Sequence, residues 1–422
     1  MHLFLYIINY MRLKNQAVMI LILSAMLLGA FTGGLLKAGN KDPKPVNDDI
    51  VTPDVDPGRI PESFCASFDD PYGVPEEIRK LITDYMDAYY LSIYSLEKRD
   101  TSVYFDDERS AAISDKAIQL LCEVRKLYDY DFRMTKAHYD LKVTRYVEEG
   151  GIYYVDLLED DQMSFVFIPG ITSSAYEIEN YFVIRKNEDA FKIHELEKVQ
   201  GYYMMFHDSC ETIEDVEKTY DYYYHELKDM ISYNSDVLSR KPLSTSSKTY
   251  TNHYDRSNAV AYLDKYYHER NPEWFNYTST GGNCQNYTSQ ALLAGSIPMD
   301  HYGDEQWKCY ISDGSYDAEI DESEAAYGRS RSWVSVGYFY DYARDNTGSG
   351  LVAEVNANIH SAEPGDIIIV GNGALSHTVM ISKIIDGHIL VDSNSIDMHD
   401  FPLDAYTYTN VILIKILGYN QY

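Results

Sequence analysis

The chain has 422 residues, 45% of them hydrophobic, enough for two domains and a sizeable core. Against 36 basic side chains stand 66 acidic ones, a net charge of −30, which argues against nucleic acid as a partner because phosphate binding needs a basic surface. Five cysteines without a C-x-x-C pair or a Cys/His cluster point away from structural zinc, and no metal or cofactor is expected.

Residues 17 to 36, AVMILILSAMLLGAFTGGLL, carry no charge and follow Arg12 and Lys14. A positive flank ahead of such a run reads as a signal peptide or membrane anchor over residues 1–36. The expected place is outside the cell or on its surface, with anchoring through residues 17–36 as the alternative to cleavage. Residues 37–60 are rich in Pro and Asp and read as a disordered tether.

Between residues 61 and 240 the periodicity predicts a helix over 75–98, with Ile78, Leu81, Ile82, Tyr85, Tyr89 and Ile93 inward. A second helix is predicted over 114–130, with Ser114 as its N-cap and Cys122 buried and inert on its apolar face. Alternating runs follow within 139–201, separated by hairpin signals at Glu149-Gly150-Gly151 and Asn187-Glu188-Asp189. A further helix spans 212–232, capped by Thr212. This is a smaller α+β domain, helices on a curved antiparallel sheet, and by pattern it resembles the nuclear-transport-factor-2-like fold. After a polar linker at 240–249, glycine, serine and asparagine become frequent, and a second domain is expected over 250–422.

That domain opens with a helix in 254–275, and Gly281-Gly282 then turns the chain into a second helix starting at Cys284. The unpaired N–H groups and dipole of a helix start favour thiolate over thiol, and the Cys284 N–H could face an oxyanion. On this stretch alone, a nucleophile and a structural thiol are equally open readings. Downstream, residues 367–370, HTVMISKII (377–385) and HILVDSN (388–394) read as consecutive strands, with Asp386-Gly387 as a hairpin turn. Residues near His377 then lie across from those near Asn394. A cysteine at a helix start, a histidine at a strand start and an Asn or Asp on the next strand make the layout of a papain-like nucleophilic site. Asn394 and Asp392 share a strand face, so either is a candidate to orient His377. Trp307 and Trp333 wall the cleft or pack the core, and the acidic stretch 312–324 reads as a solvated loop rather than a calcium site.

The ordered set Tyr254-x-Arg256-x-x-Ala259-x-x-Tyr262, GGNCQNYTSQALLAGSIPMD, SRSWVSV and PGDIII…SHTVMIS resembles the "putative amidase domain" family. These are bacterial exported proteins related to the NlpC/P60-type papain-like cysteine peptidases. The resemblance runs from about Tyr250 to Leu417, some two fifths of the chain. It implies a papain-like α+β fold, Cys284 as nucleophile, His377 as general base and a third polar residue on the following strand. The family pattern has aspartate before the cysteine and a histidine after the return strand, where this chain has Asn283 and Asn394. The expected function is an exported cysteine amidase or peptidase that cleaves an amide bond, in cell-wall peptide or another extracellular substrate, through a thioacyl intermediate. The alternative is a catalytically silent cell-surface binding module on the same fold.

Overall fold

A computed structural model describes residues 63–187, 190–207, 209–244, 246–302, 306–309 and 329–421. The predicted leader, the tether and the acidic loop at 312–324 lie outside the described residues. Residues 60–422 form one compact unit. Among the described residues no helix is long and apolar enough to cross a membrane.

Helix α1 (Glu76–Ser95) buries Ile78, Ile82, Tyr85, Met86, Tyr89 and Ile93 on one face, and acidic Glu76 and Glu77 suit its N-terminal dipole. Helix α2 (Glu108–Arg125) starts six residues earlier than its apolar pattern suggested. The cap is Asp107, whose carboxylate accepts the Ser110 N–H at 2.8 Å. Ser114 sits inside the helix instead, its hydroxyl 3.0 Å from Tyr85 Oη and 3.2 Å from Thr101 Oγ1. Cys122 is buried, and its thiol is pushed up to about 11, chiefly by that burial.

Strand β1 (Cys65–Asp69) runs parallel to β2 (Met134–Glu149), and β2, β3 (Ile152–Phe165), β4 (Ser173–Asn187) and β5 (Ala190–Lys198) continue antiparallel. Gly150 and Gly151, both at positive φ (61° and 81°), make the β2–β3 turn. Short helix α3 (Gly201–His207) precedes α4 (Ile213–Ser232), which opens on a reciprocal capping box between Thr212 and Asp215.

The remaining elements are α5 (Arg256–Tyr266), α6 (Cys284–Ala294), α7 (Arg331–Val334), α8 (Val336–Asp345), β6 (Gly350–Ala357), β7 (Ile367–Gly371), β8 (His377–Ile385), β9 (His388–Ser393), β10 (Asp397–Pro402) and β11 (Asn410–Asn420). All eleven strands share one mostly antiparallel sheet in the order β1-β2-β3-β4-β10-β9-β8-β7-β11-β6, with β5 also on β4. The start of β4 pairs with β10, as in Ala175–Met398, and its later residues from Asn180 onward pair with β5. The sheet therefore runs through the composition change near Tyr250.

Strand alternation sorts the second half into two cores. Ile367, Ile369, Met380, Ile414 and Ile416 face Ala259, Leu263, Tyr287, Ala291, Leu292 and Trp333. Ile368, Val370, Val379, Ile381, Val391 and Leu413 face the other way. The Tyr254/Arg256 motif staples this half together. Tyr254 donates to the Gly365 carbonyl (3.0 Å), while Arg256 reaches buried Asp366 (2.8 Å) and the carbonyls of Pro364 (2.9 Å) and Ile416 (2.6 Å). Tyrosine is largely a core residue here. Tyr85, Tyr90, Tyr139 and Tyr287 are all almost wholly shielded from solvent.

Candidate functional site

Cys284 is the first residue of α6, after glycines at φ 123° and 108° that only a residue without a side chain adopts readily. The thiol is buried, 8% exposed. Burial pushes its pKa up, and the polar groups around the helix start offset this only in part. The resting group is a thiol: desolvation outweighs the helix start that was expected to favour thiolate.

The strand that begins at His377 is tied to α6 through the next residue, Thr378, whose hydroxyl donates to Gln285 at 3.0 Å. The imidazole itself lies against Tyr406 and Tyr408, with ring centroids 6.4 Å away in both cases. Burial lowers the His377 pKa to about 4. Among the described residues the ring has no hydrogen-bond partner, and at neutral pH it is uncharged.

Neither residue predicted to orient His377 reaches it. His377 pairs across the sheet with Val370 and so faces the Val370/Val379 side, whereas Asp392 pairs with Met380 and faces the helices. Asn394 shares the Asp392 side. Its amide oxygen accepts from Asn283 Nδ2 at 2.5 Å, and its NH2 faces the carbonyls of Tyr266 (3.2 Å) and Tyr267 (3.5 Å). Asp392 accepts from the Asp400 N–H (2.8 Å) and pairs with His399 Nδ1 (3.0 Å). Sharing a face with each other was legible from the alternation; being on the wrong face for His377 follows from the register.

The two departures from the family pattern touch one another. Asn283 Oδ1 accepts from the Tyr277 N–H (3.1 Å) and Asn286 Nδ2 (2.8 Å), leaving its NH2 for Asn394. Asn283→Asp should therefore destabilise the fold by about 1–3 kcal/mol, because a carboxylate oxygen replaces the Asn283 donor that faces Asn394 Oδ1. Urea unfolding checks this, and Asn394→His, which supplies a donor, should recover most of the loss in the double variant.

Trp307 and Trp333 are fully buried and packed on each other at 4.8 Å, with Trp274 stacked on Trp333 at 5.3 Å, so they are core rather than cleft walls. Asp264, Asp392 and His399 bring potential metal-ligand atoms within 4.8 Å of one another. Their charge is answered from within the chain. Burial opposes the His399 charge, but its Asp392 hydrogen bond and the nearby carboxylates hold its pKa above the ordinary value, and Lys383 pairs with Asp400 beside it.

The residue that chain reading overlooked is Ser395, in the turn after β9. Its Oγ accepts the N–H groups of Asn283 (2.7 Å) and Cys284 (3.1 Å). The Cys284 N–H, expected to face an oxyanion, is thus already engaged. Arg270 clamps the same turn through both Asp397 oxygens (2.7 and 2.9 Å).

Residues 253–417 match the family model described as "Putative amidase domain". Over 232 residues the chain is 25% identical to "Uncharacterized protein YhbB" of Bacillus subtilis (strain 168), an alignment covering 54% of this chain and 67% of that one. The family match supports an amidase-like family for residues 253–417 and, in general terms, a hydrolytic amidase role.

Proposed function

We propose that the protein is an exported cysteine amidase or peptidase of papain-like, NlpC/P60-related design, acting on a peptide such as a cell-wall amide. The observation that supports this best is that Cys284 opens a helix bonded to the start of the His377 strand, Thr378 Oγ1 donating to Gln285 at 3.0 Å, while burial holds His377 neutral. His377 takes the thiol proton as sulfur attacks the amide carbonyl, forming the C–S bond. The same proton passes to the leaving amine as the C–N bond breaks. Water then attacks the thioester, giving one proton to His377 and hydroxide to the acyl carbon, and the thiolate departs to regain that proton. Export rests on the uncharged run at 17–36 behind Arg12 and Lys14.

The test is acylation of the full chain by p-nitrophenyl acetate, followed by intact mass and peptide mapping. A hydroxylamine-labile acetyl group on Cys284, absent from Cys284→Ala, is expected. A second reading, a silent cell-surface binding module, is favoured by the buried thiol and by an imidazole with no orienting partner among the described residues. It predicts no acyl adduct on Cys284 in the wild type.

A further inference from the structure

We propose that Arg125 anchors a second ligand site, in the first half of the chain, that takes the oxyanion group, carboxylate or phosphate, of a small acid. The site is separate from the cysteine chemistry and does not depend on it. Arg125 is the last residue of α2 and is only 4% exposed. A guanidinium keeps its charge when buried, and buried charges are as a rule paired and hydrogen-bonded. This one is neither. Among the described residues no carboxylate pairs with it, and its Nε and Nη1 are enclosed without an acceptor. Helix α3 packs against α2 and carries a second unmet donor among the described residues, the buried Tyr202 hydroxyl.

What surrounds the cation is aromatic. The guanidinium carbon lies over the rings of Phe132 (5.0 Å) and Phe165 (5.7 Å), and Phe132 packs in turn on Tyr128 (5.4 Å) and Phe167 (4.7 Å). Ring faces attract the charge but are poor acceptors, so the fork of N–H groups stays unfilled. The acid that borders this cluster is already engaged. Tyr130 Oη donates to Asp404 at 2.5 Å, and His388 Nδ1 lies 3.8 Å from the same carboxylate. A planar fork matches a carboxylate or a phosphate bidentately, which a compact ammonium does not. The rings beside it suit an apolar or aromatic body behind the anionic group. A ligand of this class supplies the acceptors that the fold itself leaves out, and gives a reason to keep a charge that is costly to bury.

The test is thermal unfolding of the full chain at neutral pH in sodium acetate and in sodium phosphate, each set against sodium chloride of equal ionic strength. Wild type should melt higher in at least one of the two oxyanions, with a rise that follows a one-site binding curve. A response to acetate gives the ligand a carboxylate, and a response to phosphate gives it a phosphate ester. Arg125→Met, which keeps the apolar stem and loses the fork, should weaken that binding roughly tenfold or more. Arg125→Lys, which keeps the charge without the fork, should recover only part of it, and it serves alone where Arg125→Met does not fold. Absence of a saturable rise in wild type overturns the proposal, and that result needs no variant. An equal rise in wild type and in the variants overturns it too, since these anions stabilise folded chains in general by exclusion from their surface. Acylation of Cys284 enters neither result, so the amidase reading and this site stand or fall separately.

Discussion

Acylation of Cys284 should persist down to an acid limb near pH 4, and His377→Ala should slow it roughly 10²–10⁴-fold, the span that a positioned general base supplies. An ordinary histidine would lose its base form below about pH 6.5. Here burial disfavours the imidazolium, so protonation waits until about pH 4 and the competent neutral ring spans the physiological range. The thiol, raised by its own burial, stays protonated over the same range. A neutral thiol served by a neutral imidazole base would give a broad plateau, in contrast to the narrow bell of a preformed ion pair. The same depression carries a stability consequence. The unfolded chain takes up a proton at His377 below about pH 6.5 and the native chain does not, so this group's contribution to stability falls from there to about pH 4. An acid limb at 6.5 would mean that the open edge of the ring, not its Tyr406 and Tyr408 walls, sets its solvation. A rate indifferent to His377→Ala would remove it as the base.

What could be read along the chain was whatever short-range chemistry decides. The Asp386-Gly387 hairpin occurs with both residues at positive φ (51° and 88°), and β8 and β9 flank it as their alternation implied. Thr212 caps α4, and Cys284 opens α6, because caps and glycine turns act within a few residues. Helix α2 shows the limit even there. Its first turn, Glu108 to Ala111, carries no apolar stripe, so the pattern began only at Ser114 and the cap at Asp107 went unseen. Long-range facts were out of reach. Asn283 meets Asn394 across 111 residues, and the face of His377 depends on pairing with Val370, a register that alternation within one strand does not determine. The single sheet hinges on three β4–β10 pairs between segments that look like separate domains in composition. Ser395 falls in a turn, where no periodic signal exists; its neighbour Asn394 was its only marker.

Lys198→Met should destabilise the protein by about 3–5 kcal/mol, whereas Asp161→Asn should stabilise it above pH 7. Lys198 and Glu159 are an ion pair with 1% and 0% side-chain exposure. Glu159 also accepts from Tyr90 Oη (2.6 Å) and Asn180 Nδ2 (2.8 Å), so it is well bonded, yet its charge is balanced by Lys198. Removing the ammonium strands a carboxylate in the core, and Glu159→Gln in the same chain should recover most of the loss. Asp161 is the surplus acid of this cluster. Burial first, and then the Glu159 charge, raise its pKa to about 7 from an ordinary 3.8. A raised acid binds its proton more tightly in the native state, so the stability it contributes is present at low pH and lost as pH rises toward 7. At about 1.4 kcal/mol per pH unit, the penalty above pH 7 is on the order of 4 kcal/mol. Asparagine can still accept the Ala175 N–H (3.1 Å) that Asp161 holds, so the gain should survive at pH 8 and vanish near pH 4. Urea unfolding at the two pH values reads the difference, and equal destabilisation at both would show that the carboxylate is needed for its geometry alone. That geometry explains why such a costly group persists. Ala175 is the residue of β4 that pairs with Met398, and the β3–β4 ladder shifts register between Glu159 and Asp161. The buried acids therefore sit where β4 leaves β5 for β10, and their bonds define the point at which the two halves become one sheet.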